Sequence, residues 1–129
     1  MKQYDIYMLV LGKGLRNRPG MYIGDPSPNS LLIYLHGYQA AMRDAGVIDA
    51  SKPDFHGFHD WIANKFGFSE STAGWAKMIL AVTLGADPED IIWEEFDRDA
   101  TTQQRTEATY RCFELIEEFH DTELERKGH

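Results

Sequence analysis

Cysteine is nearly missing from this chain. Cys112 is the only one in 129 residues, which excludes an intrachain disulfide and a Cys-cluster metal site. A reducing cytoplasm is the expected setting. Long apolar runs are also missing: none approaches the roughly 20 residues that cross a bilayer. The sequence has no G-x-S-x-G elbow, no P-loop and no Rossmann glycine fingerprint, so the enzyme classes built on those devices have no foothold. There is no internal repeat and no low-complexity segment. The opening stretch MKQYDIYMLVLGKG has an apolar patch, but it carries tyrosines and an aspartate and no small-residue cleavage site. It reads as a helix of the fold rather than a signal peptide.

Basic side chains are scarce in one region only. Residues 1–86 carry eight basic and seven acidic side chains, a balance of +1. Residues 87–125 carry fourteen acidic side chains, three arginines and no lysine, a balance of −11. An acidic surface of that density repels phosphates, which argues against direct nucleic-acid binding. It favours a cationic partner, or it serves solubility alone. The length fits one domain spanning 1–129, with enough chain for a hydrophobic core.

The apolar pattern is helical almost throughout. Tyr4, Met8, Leu11 and Leu15 recur at helical spacing and predict a first helix from about Gln3 to Leu15. Ser27 is a strong N-cap with Pro28 at the first helical position. The stripe Leu31, Leu35, Tyr38, Met42 and Ala45 follows, and Gly46 ends it. Gly37 in mid-helix marks a candidate close crossing. Asp54 is placed to cap a third helix with Phe55, Phe58, Ile62 and Phe66, closed by Gly67. Ser69 or Ser71 is placed to cap a fourth, Ala73 to Leu84, which is apolar on several sides and therefore expected at the centre. Asp87-Pro88-Glu89-Asp90 predicts a fifth helix start, with Ile91, Ile92, Trp93 and Phe96 on it. A last helix is expected from about Thr102 to Leu124. The fold class is all-α, one compact domain of five or six helices with a short extended corner at 18–24.

That corner is RNRPGMYIGDPSP, Arg16 to Pro28. Pro19 fixes φ for a turn, and Gly20 accepts the positive φ that a type II turn wants next. Met21, Tyr22 and Ile23 are then placed to drop apolar side chains onto the core, and Gly24 turns the chain again. On this reading Arg18, Pro19, Gly20, Tyr22 and Gly24 are structural corner residues, with Arg16, Arg18 and Tyr22 available for contact.

The run RPGMYIG, Arg18 to Gly24, resembles the opening signature of the ATPase domain of type II topoisomerase B subunits. That resemblance implies a following helix with a catalytic Glu and a magnesium-binding Asn, then an Asp-Gly-x-Gly turn and a Gly-rich lid. Here the following helix, LLIYLHGYQAAMRDA, holds neither Glu nor Asn, and turn and lid are missing. No ATP-site residue is carried over, and no cofactor is implied. A second resemblance covers more of the chain. The R-P-x-M-Y-x-G corner, Leu35-His36-Gly37-Tyr38, Gly74-Trp75 and the acidic aromatic run Cys112 to Phe119 look like small bacterial immunity proteins of polymorphic toxin systems. That likeness implies a cytoplasmic, non-enzymatic inhibitor that binds a cognate toxin; the acidic charge adds the expectation of a basic toxin domain bound one to one, with the chain a monomer or weak dimer.

The last helix has the geometry for such a role. At about 100° per residue, Glu107, Arg111, Glu114, Glu118 and Glu125 fall on one side, and Thr109, Cys112, Phe113, Ile116 and Phe119 on the other. Glu94, Glu95, Asp97 and Asp99 on the preceding segment widen the acidic surface, and Trp61 is a candidate half-exposed interface aromatic. A solvated helix face is the competing reading. Other functions compete too: a metal- or nucleotide-binding enzyme using His56 and His59 of H-x-x-H-D, a helical self-associating adaptor, and an acidic mimic of nucleic acid. The histidine pair has no evident third metal ligand. His36 reads as packed or interfacial, and Cys112 as an inert core residue.

Overall fold

The computed structural model describes residues 6–12, 14–46, 57–69 and 73–127. They form an all-helical body: α1 (Ile6–Val10), α2 (Gly20–Ile23), α3 (Pro28–Asp44), α4 (Phe58–Phe66), α5 (Trp75–Thr83) and α6 (Thr102–Lys127). No strand occurs among the described residues.

Two helix starts follow side-chain chemistry, those of α3 and α6. Ser27 is extended (φ −154°, ψ 156°) and caps α3. Its hydroxyl oxygen accepts the Ser30 N–H at 3.0 Å, and Pro28, lacking an N–H, takes the first helical position. The α6 start is a reciprocal capping box. Thr101 Oγ1 accepts the Gln104 N–H at 3.1 Å, and Gln104 Oε1 accepts the Thr101 N–H at 2.9 Å. The end of α4 needs a glycine: Gly67 sits at φ +81°. The turn there lets the Phe68 N–H reach the Ala63 carbonyl at 2.9 Å and returns the Phe68 ring to the core.

The central element is α5, which packs against α3, α4 and α6. Trp75, Ala76, Met78, Ile79, Leu80 and Ala81 are all buried, which is why the helix is apolar on several sides. Around it lie Leu31 and Leu35 of α3, Phe58 and Ile62 of α4, and Cys112, Phe113 and Ile116 of α6, each fully buried. Phe58 is the aromatic hub. Its ring meets Trp75 edge-on at 5.3 Å, Phe119 at 5.5 Å and Trp61 at 6.0 Å, arrangements that add about 0.5–1.5 kcal/mol per pair beyond burial.

Several expectations are corrected. The corner at 18–24 is not extended. Pro19 is helical (φ −58°, ψ −35°) and opens the single turn α2. Its carbonyl accepts the Tyr22 and Ile23 N–H groups, each at 2.9 Å. The proline φ serves a type II turn and a helix start equally, so ψ decides. Gly20 is therefore helical, and the positive φ falls on Gly24, at +74°. Met21 is 74% exposed and Tyr22 46%, so of the three apolar residues only Ile23 packs on the core.

The expected fifth helix is a chain of isolated turns over 87–100. Asp87 closes onto the Glu89 N–H at 3.0 Å, an Asx turn that competes with a helical cap. Ile91, Trp93 and Phe96 pack inward while Ile92 is 59% exposed. That alternation, with carboxylates at 94, 95, 97 and 99 repelling one another, does not suit a helix.

Helix α1 ends at Val10 rather than Leu15, and Ile6, Tyr7 and Val10 supply its buried face. Tyr4 lies outside the described residues. In α3, Tyr38 and Met42 are only half-buried and Ala45 is exposed. Gly37 is no crossing point: a Cβ there would meet nothing within 4 Å. The N-cap of α5 is Gly74; the proposed caps Asp54 and Ser71, with Phe55, lie outside the described residues.

Two expectations follow for stability. Phe113→Ala should lower the unfolding free energy by about 3–5 kcal/mol, read by urea denaturation, whereas Glu114→Ala on the exposed side of the same helix should stay within about 0.5 kcal/mol. Burial pushes the Cys112 thiol well above its ordinary pKa, so in native buffer a maleimide should label it only as fast as the fold opens. Labelling at the rate of a free thiol would contradict its placement.

Candidate functional site

Helix α6 is divided lengthwise. Ala108, Thr109, Cys112, Phe113, Leu115, Ile116 and Phe119 are buried. Of the two buried polar residues in that row, Thr109 and Glu123, Thr109 is satisfied locally, its hydroxyl donating to the Arg105 carbonyl at 2.8 Å. On the opposite side Glu107, Tyr110, Glu114, Glu118, Asp121 and Glu125 are all exposed, in the row that about 100° per residue brings together. Tyr110, 43% exposed, sits among the carboxylates, one turn from both Glu107 and Glu114. The sequence reading missed it because it counted charges along the helix. The signal was available in the i,i+3 and i,i+4 spacing.

The carboxylates divide into those that hold the fold and those that do not. Glu117 pairs with Arg16, which ties α6 to the connection between α1 and α2. Glu118 accepts an ion pair from Lys65 of α4 at 2.7 Å. Asp97 faces Arg105, whose guanidinium also donates to the Asp97 carbonyl at 3.1 Å. Glu95 pairs with Arg98 at 3.3 Å. Among the described residues, Glu94, Asp99, Glu107 and Glu114 have no ion-pair partner; Glu107 accepts only a long bond from Gln103 at 3.4 Å. Basic complement from α4 and from the connection before α2 therefore reaches Glu117 and Glu118 while leaving Glu107 and Glu114 bare. Arg111 is turned aside, its guanidinium 5.7 Å from the Phe66 ring.

Trp61 is half-buried. Its ring lies 5.5 Å from Phe119, with Lys65 Nζ 5.3 Å from its centroid. It thus stands beside α6 at the Glu118 end, away from Glu94 and Asp99 in sequence and element. Of the corner residues, Arg18, Gly20, Tyr22 and Gly24 are exposed and Pro19 is buried. Tyr22 belongs to a second group of phenols. Tyr34 and Tyr38 stack at 6.3 Å, and burial, with the nearby phenols of Tyr38 and Tyr22, raises the Tyr34 pKa.

Among the described residues the histidines do not gather. His56 lies outside the described residues, His59 is half-buried and His36 is exposed. His120 lies against Tyr7, ring centroids 4.5 Å apart, with Asp121 at 3.4 Å. Among the described residues no three His, Cys, Asp or Glu side chains are grouped to hold a metal, and no helix is long and apolar enough to cross a membrane. Comparison with known proteins finds no matching family model, no matching curated protein and no matching solved structure.

Proposed function

We propose that this protein is a non-enzymatic inhibitor that neutralises a bacterial toxin by direct one-to-one binding in the cytoplasm, and that the outer face of α6 meets a basic patch on that toxin. One observation carries the reading: Glu107 and Glu114 flank a half-exposed Tyr110 on the 26-residue helix α6, and neither carboxylate has an ion-pair partner among the described residues. Repulsion in such a row costs some stability, and a cationic surface relieves it. Carboxylates of one sign on an exposed face speed encounter with an opposite field and reject wrong partners. An aromatic amid them supplies the desolvated anchor that charges alone lack. Glu94 and Asp99, before α6, extend the same negative field. Glu95, Asp97 and Glu118 contribute less, because each is already paired.

The test is association with a basic nuclease-type toxin domain, sought first among the products of neighbouring genes. Glu107→Lys with Glu114→Lys should slow association by about tenfold or more at low salt, with far-UV circular dichroism unchanged. An association rate that survives the double reversal removes the α6 face from the account. Raising ionic strength from 0.1 M to 1 M shrinks the screening length from about 10 Å to about 3 Å and should slow the native protein's association as well. Lys65→Ala, which frees Glu118, should leave association equal or faster; a large loss would place Lys65 itself in the contact.

A further inference from the structure

The groove between α4 and α6 has chemistry that the acidic row does not use. Glu123 is only 8% exposed, on the core side of α6 one turn beyond Phe119. Along the same row Cys112, Ile116 and Phe119 are apolar, so a carboxylate breaks the pattern at its end. A carboxylate accepts hydrogen bonds at about four lone-pair sites; no protein donor among the described residues reaches those of Glu123, and its oxygens stay open to the groove rather than sealed in the core. The ion-pair partner of Glu123 is Arg126, whose Nη2 stands 3.6 Å away with the side chain 75% exposed. That is a charge contact rather than a hydrogen bond. Glu123 and Arg126 line a groove with Asp60, Trp61, Asn64 and Phe119. Its volume is about 280 Å³, just below the roughly 300–1,000 Å³ of small-molecule sites. It has room for a head group the size of a guanidinium.

We propose that this groove receives one guanidinium group, an arginine side chain presented by the protein partner, which displaces Arg126 from Glu123. A planar guanidinium offers five donors in a fork that matches a carboxylate with two parallel bonds, and it stacks on aromatic rings; an ammonium does neither. Trp61 already draws one cation, Lys65, to its ring, and Arg126 already brings a guanidinium to the rim of the same carboxylate. The incoming group gives Glu123 the hydrogen bonds that Arg126 does not reach. The inference rests on the reading above only for the source of the arginine. The chemistry of the groove can be tested without any partner.

N-acetyl-arginine amide is titrated into ¹⁵N-labelled protein while the Trp61 indole N–H and the α4 and α6 amides are followed by NMR. The expected result is a saturable shift confined to the groove, with a dissociation constant on the order of 1 mM. Arg126→Ala removes the internal competitor and should tighten binding several-fold, whereas a merely structural Arg126 would leave it unchanged or weaken it. Glu123→Gln should abolish saturation, and N-acetyl-lysine amide should bind at least tenfold more weakly. Should Glu123→Gln fail to fold, the Arg126→Ala and lysine arms still decide. No saturable shift in the native protein and Arg126→Ala, an equal response to the lysine amide, or weaker binding in Arg126→Ala overturns the proposal. The Glu107→Lys, Glu114→Lys variant should bind the arginine amide normally, so failure of the groove and failure of the acidic face are separately visible.

Discussion

The packing of α6 on α5 is the constraint on which the rest depends. Helix α5 is buried on nearly all sides, so it cannot define an outside. Helix α6 lays its apolar row against it and closes the core with Phe113, Ile116 and Phe119. Because a helix has a fixed angular period, that single contact also determines which residues face solvent. Glu107, Tyr110 and Glu114 point outward because Cys112, Phe113 and Ile116 point inward. The proposed binding face is in this sense a by-product of the core.

The ion pairs fit the same division. Arg16 and Lys65 reach α6 from α4 and from the connection that precedes α2, and they engage the flank of the helix, at Glu117 and Glu118. Such half-exposed pairs contribute little individually, yet they fix the sides of α6 against its neighbours. The turns over 87–100 are held by Arg105 of α6 at Asp97 and by Trp93 between Phe68 at 5.7 Å and Phe96 at 5.4 Å. An acidic segment without a helix of its own is thus anchored by Arg105 and by aromatics and presents its carboxylates from a loop.

Much of this was legible in the sequence where local and tertiary preferences agree. Ser27 with Pro28 announced α3, the apolar density of Trp75 to Thr83 announced a central helix, and the two faces of α6 followed from spacing alone. The failures came where two local rules gave different answers. Pro19-Gly20 suits a type II turn and a helical turn equally, and the chain took the helical one. Asp87-Pro88 looks like a helix start, but the Asp87 side chain closed a tight turn and the alternation of Ile91, Ile92 and Trp93 overrode the period. The groove at Glu123 was unreadable for another reason. It exists only when Trp61 of α4 is brought beside α6, and no spacing within one segment encodes that. The pairing of Glu118 with Lys65 was hidden in the same way, so charge counts overstated how much of the acidic surface is free.

The proposed account assigns the contact to one side of one helix, and hydroxyl-radical footprinting of the tyrosines tests it most directly. The protein is oxidised alone and in complex with the basic toxin domain, and the tyrosines are compared by mass spectrometry. The account expects Tyr110 to be strongly protected in the complex while Tyr22 and Tyr34 react as before. Protection of Tyr22 and Tyr34 with Tyr110 left fully reactive would contradict it, and would move the interface to the face formed by α2 and α3.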